Sequence, residues 1–234
     1  MTKPEKYAEN NISGTINLLN VATAAKVKYF VFSSSAAVYV KPQYLPLDES
    51  HPPSPINFYG NTKLAIEDLL HWYSQLKGLR FSSLRYFNAA GYDVDGELNG
   101  LAHEPNNLLS NVLEPIVGRR NKVEGFGTDY DTRDGSCIRD YIHVSDLADA
   151  HLKALDYLKH ENQDLVINLG TSNGLSVLEI MQVAREVSGQ EFNYTLGPRR
   201  AGDPAVVLAK ADLEAKLLNW KPKHSDASTL LETT

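Results

Sequence analysis

The sequence predicts an α/β fold built on a doubly wound parallel sheet, because stretches of helical period repeatedly deliver the chain into short apolar runs suited to covered strands. Residues 5–24 open the series, with Ala8, Ile12, Thr15, Ile16, Leu19 and Ala22 at spacings of three and four, the period of a half-buried helix. Lys28 then leads into Tyr29-Phe30-Val31-Phe32, aromatic and β-branched, which suits a fully covered parallel strand ending at Ser33-Ser34-Ser35. A proline-rich loop follows. Asn57 can cap a helix from Phe58 to Lys77, with Ile66, Leu70 and Tyr73 continuing one face, and Gly78 is placed to end it. Phe81 to Asn88 reads as the next covered strand. Residues 91–135 lose the period and collect Gly, Asn and Asp, as an insertion would. Ser145–Leu158 is again helical and Leu165–Leu169 again a strand, and Ser176 with Glu179 forms a capping box ahead of Val177, Leu178, Ile180 and Val183.

At 234 residues the chain holds one to two domains of about 150 residues each. Its formal charge of −6 disfavours a phosphate-backbone binder, which needs a basic face to release counterions, so neither nucleic acid nor an anionic membrane is expected as a partner. A 42% hydrophobic content without a long apolar run gives neither the depletion of disorder nor a spanning segment. Cys137 is the single cysteine and cannot form an internal disulfide, and the polar opening MTKPEKYAENN lacks the apolar stretch of a secretory signal. Both point to a reducing, cytoplasmic setting.

Tyr59 and Lys63 lie four apart near the start of a helix, so their side chains leave the same face, and a neighbouring ammonium would favour a phenolate able to act as a base near neutral pH. With 12 tyrosines in the chain, chance alone yields about one such Tyr/Lys pair, so context decides. That context is Ser35, at the carboxyl end of a covered strand, the edge where open α/β sheets bind ligands. His143 has no partners at metal-ligand spacing and reads as a packed polar residue, so no metal is expected. Cys137 reads as a small core or loop residue. Glu114, Glu124, Asp129, Asp131 and Asp134 read as a solvated acidic loop among turn residues, not as a paired-carboxylate site.

On these residues the sequence resembles the extended short-chain dehydrogenase/reductase family and, within it, the UDP-glucose 4-epimerases. The matching segments are YAENNISGTINLL, KYFVFSSSAAVY, YGNTKLAIE, LRYFNAAG, PNNLL, IRDYIHVSDLADAH, INLGTSNGLSVLE and RRAGDPA, spread over nearly the whole chain. The resemblance implies Tyr59 as acid/base, Lys63 on the nicotinamide ribose, and Ser35 on the reacting hydroxyl. It implies Asn10, Ser33, Tyr59, Lys63 and Tyr86 at an NAD cofactor. It implies Ser35, Asn88, Asn107, Arg139, Arg200, Asp203 and Val207 around a UDP-hexose, the arginines on the diphosphate. The expected reaction oxidises sugar C4 transiently and returns the hydrogen to the other face. Where epimerases restricted to plain hexoses carry tyrosine this chain has Val207, which implies a pocket admitting UDP-N-acetylhexosamines. Helices 5–24 and 58–77 are implied as a homodimer contact.

The same resemblance divides the chain. Residues 1–90 and 140–171 correspond to the C-terminal part of a Rossmann-type NAD-binding domain, and 91–139 with 172–234 to a smaller α+β UDP-sugar-binding domain. The glycine-rich turn expected after a first strand is missing: Gly125 and Gly127 begin a G-x-G, but Tyr130 stands where the third glycine would be. The sheet is therefore expected to be incomplete and Met1 to be an internal start, an expression boundary or the start of a truncated open reading frame, leaving an open sheet edge, marginal stability and weak NAD binding. Two alternatives stand beside the epimerase: a silent fragment retaining only nucleotide-sugar binding or dimerisation, and a nucleotide-sugar 4,6-dehydratase. The latter needs an acidic pair after the strand-end hydroxyl, where this chain has Ala36 and Ala37.

Overall fold

The computed structural model describes residues 3–39, 42–98, 107–200 and 202–234. In chain order the elements begin with α1 (Pro4–Tyr7), a π-helical segment (Ala8–Ser13), α2 (Gly14–Ala24), β1 (Tyr29–Ser33), a 3-10 turn (Ala36–Val38) and α3 (Phe58–Lys77). There follow β2 (Arg80–Tyr86), β3 (Asn88–Ala90), α4 (Leu108–Leu113), β4 (Val123–Phe126), β5 (Ile138–Arg139), β6 (Tyr141–His143), α5 (Val144–Glu161) and β7 (Leu165–Leu169). The remainder is β8 (Leu175–Ser176), α6 (Val177–Ser188), β9 (Tyr194–Gly197), β10 (Val206–Val207), α7 (Leu213–Leu218) and α8 (Ala227–Glu232).

The chain forms two compact units, one of Met1–Phe87, Asp149–Leu169 and Lys210–Trp220, the other of Asn88–Ala148, Gly170–Ala209 and Lys221–Thr234. The first is built on a parallel sheet in the order β1-β2-β7. Leu19 from α2, Ile66 and Leu70 from α3, and Phe32, Leu79 and Phe81 close its core. α3 has the expected bounds for the expected reason: the Asn57 side chain accepts from the Gly60 amide at its start, and Gly78 stops it at φ 71°, where a side chain would be strained.

Two expectations are corrected and one is met. The first helix is not continuous over 5–24, since its first half widens into π geometry, a change that a 3.6-residue pattern does not register. β1 is the open edge expected of an incomplete sheet: only Phe32 of its five residues is buried, and among the described residues β1 pairs with β2 alone. The strand expected over Phe81–Asn88 ends at Tyr86, and Asn88 starts β3, which pairs with β6 in the second unit.

The second unit carries small sheets, β10-β5-β8, β3-β6 and β4-β9, around a core of Leu109, Val112, Val123, Tyr141, Val177, Ile180 and Met181. The capping box forms, with the Ser176 side chain accepting from the Glu179 amide and Glu179 accepting in return. The supposed acidic loop is partly structural. Burial alone would raise the Asp134 carboxyl, but it accepts from the Ser176 and Ser136 hydroxyls and from the Ser136 amide, and the result is a lowered pKa. Glu114 pairs with Arg119 and Arg120.

Candidate active site

The three serines at the end of β1 divide the work. The Ser33 carbonyl accepts from Lys63 Nζ at 2.8 Å, and the Ser33 hydroxyl meets His151 Nε2 at 2.9 Å. The Ser34 hydroxyl donates to Glu67 Oε1 at 2.5 Å. The Ser35 hydroxyl accepts from the Ala37 amide at 3.2 Å, capping the 3-10 turn. α3 starts beside that turn because Gly60 permits it: a Cβ there would stand 2.0 Å from the Ala37 carbonyl oxygen. Tyr59 and Lys63 face this strand end, with Lys63 Nζ 5.6 Å from the centre of the Tyr59 ring and 4.9 Å from that of Phe32.

The electrostatics differ from the sequence expectation. Burial raises the Tyr59 phenol above 10, a hydrogen bond with Ser35 pulls it down, and the phenols of Tyr86 and Tyr7 push it up further. The Lys63 ammonium, committed to the Ser33 carbonyl, is itself depressed by burial and is not what lowers Tyr59 in the protein alone. Tyr86 ends β2 and acts on Tyr59 in this way. Asn10 lies exposed in the π segment, whereas its neighbour Asn11 donates to Thr62 Oγ1 of α3 at 2.9 Å.

In the second unit, Arg139 and Val207 are register partners of β5 and β10. Arg139 Nη1 donates to the Ile138 carbonyl at 2.9 Å, and Asn88 Nδ2 donates to the Asp140 carbonyl at 2.9 Å. The Arg200 guanidinium stacks 4.0 Å over the Phe126 ring and that of Arg199 4.3 Å over Tyr130, arrangements that hold a cation on an aromatic face. Arg199 also pairs with Asp129. Asn107 caps α4 by accepting from Ser110, and Asp203 is exposed, its amide reaching the Arg200 carbonyl. Pro105 and Asn106, the first two residues of the PNNLL segment, lie outside the described residues.

Sequence reasoning passed over Phe126 and Tyr130, which lie far from the Arg199-Arg200 pair in the chain, so that only the fold reveals the stacking. It also passed over Asp140, a carboxylate at 0% exposure that accepts from the amides of Thr171, Ser172 and Ala209 and from the Thr171 hydroxyl. His143 is enclosed, its ring accepting from the Ser145 amide and meeting Thr233 Oγ1 at 2.9 Å. No group of three or more His, Cys, Asp or Glu among the described residues is arranged to hold a metal ion, and no described helix is long and apolar enough to cross a membrane.

A parallel sheet whose strand end presents a serine to a tyrosine and lysine one helical turn apart defines a class: α/β proteins equipped for proton and hydride exchange at a carbinol. Residues 1–170 match the NAD dependent epimerase/dehydratase family, and the chain belongs to it. It is 43% identical over 233 residues to the UDP-glucose 4-epimerase of Lacticaseibacillus casei, an alignment covering 100% of this chain and 70% of that enzyme. The crystal structure of UDP-glucose 4-epimerase from Brucella ovis in complex with NAD superimposes with a TM-score of 0.96 at 41% identity, covering 99% of this chain and 71% of the other. The UDP-Glc/GlcNAc 4-epimerase of Campylobacter jejuni gives a TM-score of 0.86 at 41% identity over 100% of this chain and 71% of that one.

The donor set fits a nicotinamide ribose. An ammonium carries three donors, and Lys63 spends one on Ser33, leaving two to offer ribose hydroxyls beside the Tyr59 phenol.

Proposed function

We propose that this chain supplies the catalytic groups and the UDP-sugar contacts of a UDP-glucose 4-epimerase that uses NAD. The observation that carries the reading is the gathering of Ser35, Tyr59 and Lys63 at the end of β1, in a chain alike over its whole length to enzymes of that name. We assign residues 1–90 and 140–171 to the C-terminal part of the NAD-binding domain and residues 91–139 and 172–234 to the UDP-sugar-binding domain.

NAD, when bound, supplies the acceptor that takes the hydride from sugar C4 and returns it. Lys63 holds the ribose and, with Asn10, Ser33 and Tyr86, orients the cofactor. Ser35 donates to the sugar 4-hydroxyl oxygen and shares the proton path with Tyr59. The phenolate of Tyr59 accepts the hydroxyl proton as the C4 carbonyl forms, then returns it when the 4-keto sugar is reduced on its other face, so no net oxidation occurs. For the hexose to turn over, the enzyme must grip the nucleotide firmly and the sugar loosely. Arg139 and Arg200 bind the diphosphate through planar forks, and Asn88, Asn107 and Asp203 complete the contacts to sugar and nucleotide. Val207 leaves room for an N-acetyl group, so UDP-N-acetylglucosamine is a substrate too.

Two copies associate through the helices within 5–24 and 58–77, which leave Leu18 55%, Val21 66%, Trp72 60% and Leu76 71% exposed. The setting is cytoplasmic. A coupled assay for interconversion of UDP-galactose and UDP-glucose with added NAD tests the function. Tyr59→Phe abolishes turnover and spares UDP-sugar binding, and a variant retaining near-normal activity would remove Tyr59 as the base. UDP-sugar binding without turnover in the unmodified protein would favour the silent binder, and a monomer by light scattering at high concentration would remove the dimer.

A further inference from the structure

Tyr59, Lys63 and Glu67 follow one another at intervals of four along α3 and so share one face. Glu67 is nevertheless 4% exposed, and its partner Arg85, in the central strand β2, is 6% exposed. Arg85 Nε and Nη2 donate to the two carboxylate oxygens at 3.0 and 2.5 Å, a bidentate fork that tolerates little rotation. Arg85 Nη1 donates to the Tyr39 hydroxyl at 3.0 Å, which donates to Asn168 Oδ1 of β7 at 2.7 Å. The Asn168 side chain in turn donates to the Leu47 carbonyl, and its backbone amide to Glu49. The pair therefore ties α3 to β2 and, through Tyr39, to β7.

A buried ion pair is a weak source of stability, because the cost of removing both charges from water offsets most of their attraction, and apolar replacements often serve as well. What a fully bonded pair does provide is a fixed geometry. Here one bond extends that geometry to the site. The Ser34 hydroxyl, at 1% exposure, donates to the same Oε1 that receives Arg85 Nε. Ser34 stands between Ser33, whose carbonyl holds Lys63, and Ser35, whose hydroxyl meets Tyr59.

We infer that Ser34, Glu67 and Arg85 are positioning residues that lock the strand end bearing Ser33 and Ser35 to the helix face bearing Tyr59 and Lys63. The inference rests on the reading of Tyr59, Lys63 and Ser35 given above. None of the three touches the reacting atoms; they act through the serines on either side of Ser34.

The test reads the Tyr59 phenol directly. The 234-residue chain is labelled with 3,5-difluorotyrosine, whose more acidic phenol titrates within the folded range, and the Tyr59 fluorine resonance is assigned by its loss in Tyr59→Phe. Ser34→Ala cuts the link but leaves the Arg85–Glu67 pair whole. Ser83→Ala is the control, since Ser83 is at 0% exposure in β2 and its hydroxyl has no hydrogen-bond partner among the described residues. With Ser35 released, Ser34→Ala raises the Tyr59 midpoint by about half to one pH unit, the equivalent of one modest hydrogen bond. Ser83→Ala leaves the midpoint in place, and Ser34→Thr, which keeps a hydroxyl, retains it. A midpoint in Ser34→Ala equal to that in Ser83→Ala would overturn the inference. No substrate or cofactor enters the titration, so that failure would leave the epimerase reading to its own turnover assay.

Discussion

Replacing Asp140 tests whether one buried carboxylate organises the loops around Arg139 and Val207. Its Oδ1 accepts from the Thr171 amide at 2.9 Å and the Thr171 hydroxyl at 2.8 Å, and its Oδ2 from the amides of Ser172 and Ala209, both at 3.2 Å. Asp140→Ala leaves three backbone donors without an acceptor, each costing about 1 kcal/mol or more. Part of that is recovered, because burial of Asp140 raises its pKa despite these bonds, so the charge is held at a cost. The balance is a loss of about 2–4 kcal/mol, or about 5–12 °C in Tm for a chain of this size. Asp140→Asn is informative because it is nearly isosteric: if its oxygen stays with Thr171, its NH2 faces two N–H donors, so it recovers little of the loss. Far-ultraviolet circular dichroism is the probe, since both tryptophans, Trp72 and Trp220, belong to the other unit. Amide exchange at Thr171, Ser172 and Ala209 should rise together. Melting of Asp140→Asn at the unmodified temperature, with those amides still protected, would refute the reasoning.

Burial lowers the pKa of His143, with Asp146 acting against that and His224 adding to it. The folded state thus favours the neutral ring, and the unfolded chain binds its proton first as the pH falls. This contribution to stability is present above about pH 6.5 and is lost as the pH drops through the folded value, so the urea midpoint should decline below about 6.5 and decline less in His143→Gln. Gly60→Ala drives a methyl to 2.0 Å from the Ala37 carbonyl oxygen, and because that atom is backbone, the helix start must move. Turnover should fall at least about tenfold, as misplacement of about 1 Å does to a positioned site, while the circular dichroism spectrum keeps its helical content.

Where local chemistry alone sets an element, the sequence was legible. Asn57 and Gly78 bracket α3, Ser176 and Glu179 start α6, and the five apolar or amide residues of β7 form a strand over the expected span. Where pairing decides, composition alone was not enough. Tyr29–Phe32 has the composition of a covered strand, and its open edge was legible only through the missing glycine-rich turn. The acidic run failed for a similar reason: Asp134 and Asp131 share one stretch of turn residues, and only the fold brings the Ser176 hydroxyl to the first.

The catalytic candidates were legible because motif and period coincide at Tyr59 and Lys63, but the same period hid what supports them. Helical patterning counts apolar positions, so a glutamate one turn beyond Lys63 scores as solvent-facing even when it is buried. Its partner carries the opposite clue. Arg85 interrupts Phe81-Ser-Ser-Leu84 and Tyr86 in a central strand, where an arginine can be held only if a carboxylate meets it. That requirement selects among the acidic residues able to reach the sheet, and Glu67, on the face already assigned to Tyr59 and Lys63, satisfies it. A buried charge in a strand can therefore be read as a search for its counterion, and here the search ends one helical turn from the site.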